Sequence, residues 1–523
     1  MARAWGAGVV VAAMLAGCAS AGGGAAPAPV AEAPDVAAMT RTVTPAELRR
    51  DLFAFADDSM RGREVGTRDA TRAAEFIAKR VELLGLEPAG DSLYYQRIAM
   101  QRDEVDSTSR FSVRANGTVT ALRVGPDVVP LGSLGPGALP RLDASGPVVF
   151  AGYGIDDSTL GRHDWDGLHA AGKVLVVVHG APPHADSAAR ARYAGQAYLT
   201  TLITRGMMQQ PAAVIVLEAP DNASLYQEAT AELLHGVTIR TGLPEPGPDA
   251  RQFPMVALGL ARAGSPLLPP NWPADDRPRD LPAQFTGHLV MRHEPFTGYN
   301  VVAMVPGSDP SLRRTYVAYG AHLDHIGIQH GMSPDSIANG ADDDGSGSMA
   351  LLAIARAMRA EQPRRSVLFV WHTGEEKGLL GSGYYTEHPT VPIDSIVAQL
   401  NADMIGRNAP GELYLVGPGA APNGQSKVLG AIVDSVNASE PSPFAINREY
   451  DRLDDPERVY YRSDHYNYAR KGIPIVFFTT GLHADYHKVS DSPDKIDYAK
   501  LARVSQLMLD VGVAAANRRA RPR

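Results

Sequence analysis

Tyr316-Val-Ala-Tyr-Gly-Ala-His-Leu-Asp-His325 is the stretch whose reading decides the fold. A short apolar run, too brief for an independent helix, leads straight into His322, Asp324 and His325. Such a run reads as a strand buried on both faces of a parallel sheet. Similar runs recur at 299–305, 366–371, 395–400 and 473–479, and Ser348 to Arg359 between two of them reads as a helix. Alternating strands and helices predict an α/β fold, a mostly parallel sheet with helices on both faces. Ligands of such sheets bind beyond the carboxyl ends of the strands. His322 falls at such an end.

Four more segments place acids or histidines in the same way. They are Gly340-Ala-Asp-Asp-Asp-Gly-Ser-Gly347, Thr373-Gly-Glu-Glu-Lys377, Leu400-Asn-Ala-Asp-Met404 and Asp485-Tyr-His-Lys488. Three adjacent aspartates repel one another and favour a cation between them, though an acidic helix start is the plain alternative. Glu375 and Glu376 leave their strand in different directions, so one can bind metal while the other moves a proton. Asp403 ends an apolar run and needs a partner there. His322 is a good zinc ligand if its second ring nitrogen finds an acceptor, for which Asp324 is the expected group. His487 follows the last run and, taken alone, reads as a solvated loop histidine. Together these segments hold the donors of a two-zinc hydrolase site.

The set resembles the co-catalytic zinc metallopeptidases, a family that includes bacterial leucyl aminopeptidase, aminopeptidase Y and glutamate carboxypeptidase. The resemblance covers roughly 44–515. It implies a zinc-exopeptidase fold with two Zn2+ ions per chain: His322 and Asp403 on one, Glu376 and His487 on the other, Asp343 bridging both. It implies Glu375 as general base, and a cis peptide after Asp343. Tyr486 resembles an oxyanion-stabilising tyrosine, with Tyr460 and Tyr461 as competitors. Arg462-Ser-Asp-His465 also matches the family pattern, as site lining or support. The implied activity is exopeptidase action on peptide substrates, with aminopeptidase first and carboxypeptidase open.

Outside this half the texture changes. From 110 to 290, short β-rich runs such as Gly146-Pro-Val-Val-Phe-Ala151 and Lys173-Val-Leu-Val-Val-Val178 are punctuated by Pro and Gly. Phe150-Ala-Gly-Tyr-Gly154 and Trp165-Asp-Gly-Leu168 resemble a protease-associated (PA) domain, here inserted between 44–109 and a catalytic part at 291–517. Thr44-Pro-Ala-Glu47 carries a capping box and a Pro at the first helical turn. Asp69 to Leu84 reads as a second helix stopped by Gly85. Residues 1–18 read as a secretory signal. Leu15-Ala-Gly-Cys18 resembles a lipobox, which implies lipidation of Cys18 and attachment to a membrane, the outer one by its Ala19. Residues 19–43, rich in Ala, Gly and Pro, read as a tether. Cys18 is the only cysteine, so no internal disulfide is expected.

A formal net charge of −8 without a long basic run argues against nucleic acid as a partner. Three rivals to the peptidase reading stand. A glutaminyl cyclase shares the fold but works at one zinc. A serine hydrolase has residue types to hand in Ser463, Asp464 and His465, but adjacent residues do not normally converge as a triad, and no Gly-x-Ser-x-Gly elbow occurs. A surface binding protein with a relic metal site would be expected to lack a ligand or the base, and all six positions are filled.

Overall fold

The computed structural model describes residues 40–131, 139–222, 226, 238–241, 252–329 and 335–522. Cys18, the signal segment and the tether up to residue 39 lie outside the described residues. The architecture is built on two sheets. The first has ten strands: β1 (Glu87–Pro88), β2 (Tyr95–Val105), β3 (Thr238–Thr241), β4 (Met291–Val305), β5 (Tyr316–His322), β6 (Ser366–His372), β7 (Ile396–Ala402), β8 (Glu412–Val416), β9 (Ala445–Asn447) and β10 (Ile475–Thr479). Their order is β3-β2-β4-β6-β5-β7-β10-β8-β9, with β1 on β4. The central strands β6, β5, β7 and β10 run parallel. Antiparallel pairing appears outside them, at β4 with β6 and β2, and at β8 with β10.

The five apolar runs are β4, β5, β6, β7 and β10. Their alternation explains why they read as apolar throughout. Val317, Tyr319, Phe369, Trp371, Val476 and Phe478 enter one core, beneath α1 (Pro45–Phe55), α2 (Arg68–Leu83), α3 (Gly347–Glu361), α5 (Lys427–Ser439) and α7 (Tyr498–Asn517). Ala318, Leu368, Val370, Ile475 and Phe477 enter the other, with Tyr385 of α4 (Leu380–Glu387) and Tyr468 of α6 (His465–Arg470). Successive side chains point to opposite faces, so helices on both sides demand apolar residues at every position.

The capping box at α1 is formed: Thr44 N–H donates to Glu47 Oε1 at 2.7 Å and Glu47 N–H to Thr44 Oγ1 at 3.3 Å. Glu47 also accepts from Arg356 of α3, so the cap ties α1 to the core helix behind the site. Among the described residues, no helix is long and apolar enough to cross a membrane.

The second sheet, eight strands built from residues between Arg110 and His288 together with Val129–Pro130, has four parallel strands at its centre: Asp143–Phe150, Val174–His179, Ala213–Glu218 and Met255–Leu260. Two helices, Ser187–Tyr193 and Gln196–Met208, accompany them. Thr238–Thr241 leaves this region and pairs with β2 at the edge of the first sheet.

Helix α7 packs on β5 at a glycine. Tyr319, fully buried, donates its hydroxyl to Met508 O at 2.8 Å. A Cβ on Gly512 would lie 1.7 Å from that hydroxyl oxygen. Gly512→Ala therefore displaces Tyr319 and breaks its hydrogen bond. Overpacking plus a stranded buried polar group predicts a loss of about 2–5 kcal/mol. A urea unfolding midpoint equal to wild type would contradict it. Tyr319→Phe in the Gly512→Ala background should recover part of the loss.

Candidate active site

The carboxyl ends of β5, β6 and β7 open onto one cavity, lined by Asp343, Glu375, Glu376, Asp403, Arg462 and Tyr486 together with an apolar wall of Met404, Val459, Phe477 and Leu482. His322 is the last residue of β5, next to His372 of β6 in register. Its Nδ1 lies 3.1 Å from the Asp324 carbonyl oxygen. Nδ1 is thus the protonated nitrogen, and Nε2 keeps its lone pair for the cavity. The Asp324 carboxylate was the expected acceptor, but it stands 3.9 Å from Nδ1 and instead accepts the Glu375 main-chain N–H. Asp324 supports the site, then, by its carbonyl on one side and its side chain on the other.

The aspartate triplet separates into three roles. Asp342 accepts from Gly406 N–H at 2.7 Å and approaches His483 Nε2 at 3.2 Å. Asp344 accepts the main-chain N–H groups of His322 and Gly347. Both are spent outside the cavity, on main-chain N–H groups and, for Asp342, on His483 as well. Only Asp343 points into the cavity, with Oδ1 3.2 Å from His322 Nε2 and Oδ2 3.2 Å from His487 Nε2. The turn is held by Asp491, whose carboxylate accepts the N–H groups of Asp342 and Asp343. The Asp343–Asp344 peptide is cis.

Around this aspartate sit two donor sets. Asp403 Oδ2 is 3.7 Å from His322 Nε2. Glu376 Oε2 is 2.9 Å from His487 Nε2. His322, Asp343 and Asp403 face one point; Asp343, Glu376 and His487 face another. His322 Nε2, Asp343 Oδ2 and His487 Nε2 are buried atoms without a hydrogen-bond partner. Donors around one tetrahedral zinc with bonds of about 2.0–2.1 Å stand roughly 3.3 Å apart. The ligand-to-ligand separations here bracket that figure, so the residues fit zinc. His322, Glu375 and Asp403, and likewise His325, Asp343 and Glu376, also bring donor atoms within 4.8 Å of one another.

The electrostatics follow from crowding. Burial pushes the Glu375 carboxyl well above the usual carboxylate range, and Glu376 and Asp403 push it further against the pull of His322. Burial and Asp343 act the same way on Glu376, but His487 and His325 hold it at about 2. Burial would keep His487 neutral, yet Glu376 and Asp343 raise it to about 10. A cation here would relieve the mutual repulsion of these carboxylates and take the place of the proton that Glu376 and Asp343 hold on His487.

Tyr486 stacks on His487 with centroids 3.9 Å apart, and Arg462 Nη2 donates to its hydroxyl at 3.1 Å. Tyr460 is packed into an aromatic cluster with Tyr461, His465 and Tyr466. Ser463, Asp464 and His465 do not converge. Ser463 accepts from Asn401, Asp464 faces His372 at 3.2 Å, and His465 Nε2 meets Tyr460 O while its ring stacks on Phe477. The serine-hydrolase reading ends there.

Two residues have roles that sequence reading did not assign. His325 Nδ1 lies 2.7 Å from Glu376 Oε1. Its signal was present, since it closes the decisive segment. Arg63 is fully buried and donates to the carbonyls of Phe55, Leu323, Asn339 and Gly340. No local pattern marks it, because its partners are main-chain atoms far along the chain.

Histidine and carboxylate donors gathered at the ends of parallel strands, with one aspartate between two sets, make up a candidate metal centre. Residues 300–512 match peptidase family M28. The match covers that segment alone, less than half of the chain. A probable leucine aminopeptidase of Trichophyton verrucosum is 30% identical over 220 residues, 40% of this chain and 56% of the relative. Leupeptin-inactivating enzyme 1 of Streptomyces exfoliatus is 32% identical over 202 residues, 38% of this chain and 39% of that one. The chain thus spans about half or less of these curated relatives. Among solved structures, an aminopeptidase from Aneurinibacillus sp. strain AM-1 superposes with a TM-score of 0.56 at 18% identity, covering 94% of this chain and 98% of the other. A zinc aminopeptidase from Bacillus subtilis gives 0.51 at 17%, covering 91% and 97%. These two share the fold.

Proposed function

We propose that the protein is a zinc-dependent aminopeptidase holding two zinc ions, His322, Asp343 and Asp403 on one and Asp343, Glu376 and His487 on the other. The observation that carries this reading is Asp343, set between two histidine nitrogens with one oxygen toward each. Bound zinc supplies Lewis acidity and lowers the pKa of the attacking water. Glu375 is the general base. It lines the cavity, and a raised pKa suits a group that must take a proton and give it back near neutral pH. It receives the proton of the water that attacks the scissile carbonyl and returns it to the leaving amine. The Tyr486 hydroxyl, accepting from Arg462, keeps its own proton to donate to the carbonyl oxygen as charge develops. Met404, Val459, Phe477 and Leu482 form the apolar wall for the first side chain of the peptide.

The test is a panel of aminoacyl-nitroanilides, free and N-acetylated, with metal analysis. Leu and Phe derivatives with free amines should be cleaved at least about 10-fold better than Asp or Lys ones. A chelator should abolish turnover and zinc restore it. Preference for N-blocked peptides with free carboxyl ends would favour a carboxypeptidase, and one metal per chain would favour the cyclase reading. Two regional readings complete the proposal: the region 110–290 is a PA-like insert, and Cys18 carries a lipid that holds the enzyme on a membrane outside the cytoplasm. Absence of label on the chain after growth with a radioactive fatty acid would refute the second.

A further inference from the structure

Glu376 is held from both ends. Its Oε2 faces His487, which sits on a loop with its side chain 37% exposed, and its Oε1 faces His325, which is wholly buried. A carboxylate only accepts, so His325 Nδ1 at 2.7 Å must donate. The His325 ring has no freedom to turn away. Its main-chain N–H reaches Arg63 O, and the ring lies flat against Gly340, where a Cβ would stand 2.5 Å from ring carbons. Gly340 also has φ +58, which favours glycine. A fixed ring therefore fixes one oxygen of Glu376 and leaves the other pointing at the space shared with Asp343 and His487.

His325 could instead be read as a metal donor, since its Nδ1, Asp343 and Glu376 cluster. The distances argue otherwise. His487 Nε2 stands 3.2 and 2.9 Å from Asp343 and Glu376, near the roughly 3.3 Å of donors on one zinc. His325 Nδ1 stands 3.8 Å from Asp343 and at hydrogen-bond distance from Glu376. Its lone pair is on Nε2, which has no partner and is not the atom facing the carboxylates.

We propose that His325 is a positioning residue for the second metal subsite: it donates Nδ1–H to Glu376 Oε1 and so aims Oε2 at the ion shared with His487. The proposal rests on the two-metal reading above. The experiment is zinc titration of the chelator-stripped full chain against a chromophoric competitor, in wild type, His325→Ala, His325→Asn and His487→Ala, with apo melting temperatures. Wild type should bind two equivalents. His325→Ala should keep the first and bind the second about 10–100-fold more weakly. His325→Asn places an amide N–H where Nδ1–H was, and should restore the second to within about threefold of wild type. Unchanged affinity in His325→Ala, or no rescue by Asn in a folded protein, would overturn the proposal. So would a second equivalent retained by His487→Ala but lost by His325→Ala, which would make His325 the ligand. A wild-type chain binding one equivalent would overturn the two-metal reading itself, a result distinct from any of these.

Discussion

Glu375→Gln is expected to lower kcat by about 10³-fold while the chain keeps its full complement of zinc. Positioned general bases contribute about 10²–10⁴-fold, and 10³-fold corresponds to about 4 kcal/mol of barrier. Glutamine has the shape of glutamate and lacks only the capacity to take the proton. The main chain of residue 375 is held independently of its side chain, through its N–H to Asp324. The variant should therefore fold and bind peptide. Metal content discriminates between two roles for this residue. Glu375 Oε2 stands 3.9 Å from His322 Nε2, and its carboxyl is grouped with His322 and Asp403. If Glu375 were a ligand, Glu375→Gln would lose zinc along with activity. As a base it loses activity alone, whereas Glu376→Gln loses the metal. Wild-type turnover in Glu375→Gln would sink the assignment.

The fold of the C-terminal half was legible because strands covered on both faces favour apolar residues on both sides. β5, β6 and β7 announce themselves in this way, and the candidate positions His322, Glu375, Glu376 and Asp403 follow because they sit where those runs stop. What could not be read was anything carried by the main chain or by long sequence separation. The Asp324 carbonyl, and not its carboxylate, orients His322. β2 pairs antiparallel with β3 and β4, and β8 antiparallel with β10, which apolar runs do not encode. Thr238–Thr241 joins the first sheet from within a region whose other strands build the second. The division of labour among Asp342, Asp343 and Asp344 was also invisible, since three identical residues differ only in the partners that the fold brings to them.

Arg63 shows the cost of that blindness, and its replacement should have the largest effect on stability. The N-terminal segment turns through Arg61, Gly62 and Arg63, all at positive φ, and Gly62 packs where a Cβ would stand 2.4 Å from Ala338 O. That turn drives the guanidinium into the core. Nε donates to Leu323 O at 3.0 Å, Nη1 to Asn339 O at 2.6 Å and Phe55 O at 3.2 Å, and Nη2 to Gly340 O at 2.8 Å. Leu323 follows His322; Asn339 and Gly340 precede the aspartate turn. One side chain thus joins the two backbone segments that present His322 and Asp343. Burial lowers its pKa to about 10, with Asp324, Asp491, Asp343 and Asp344 resisting, so it remains charged at neutral pH. Arg63→Met removes every one of these donors, leaving Gly340 O with its Gly345 N–H and taking the arginine hydrogen bonds from the buried carbonyls of Phe55, Leu323 and Asn339. Breaking a buried charged network costs about 3–5 kcal/mol, a large share of the roughly 5–15 kcal/mol that holds a domain folded. Arg63→Lys keeps the charge, but a single ammonium cannot reach all four carbonyls, so it should fall between wild type and Met in urea unfolding. Zinc affinity should decline in the same order, because the segments that drift apart are those carrying the ligands. An Arg63→Met chain with a wild-type unfolding midpoint would show that the N-terminal segment does not brace the site.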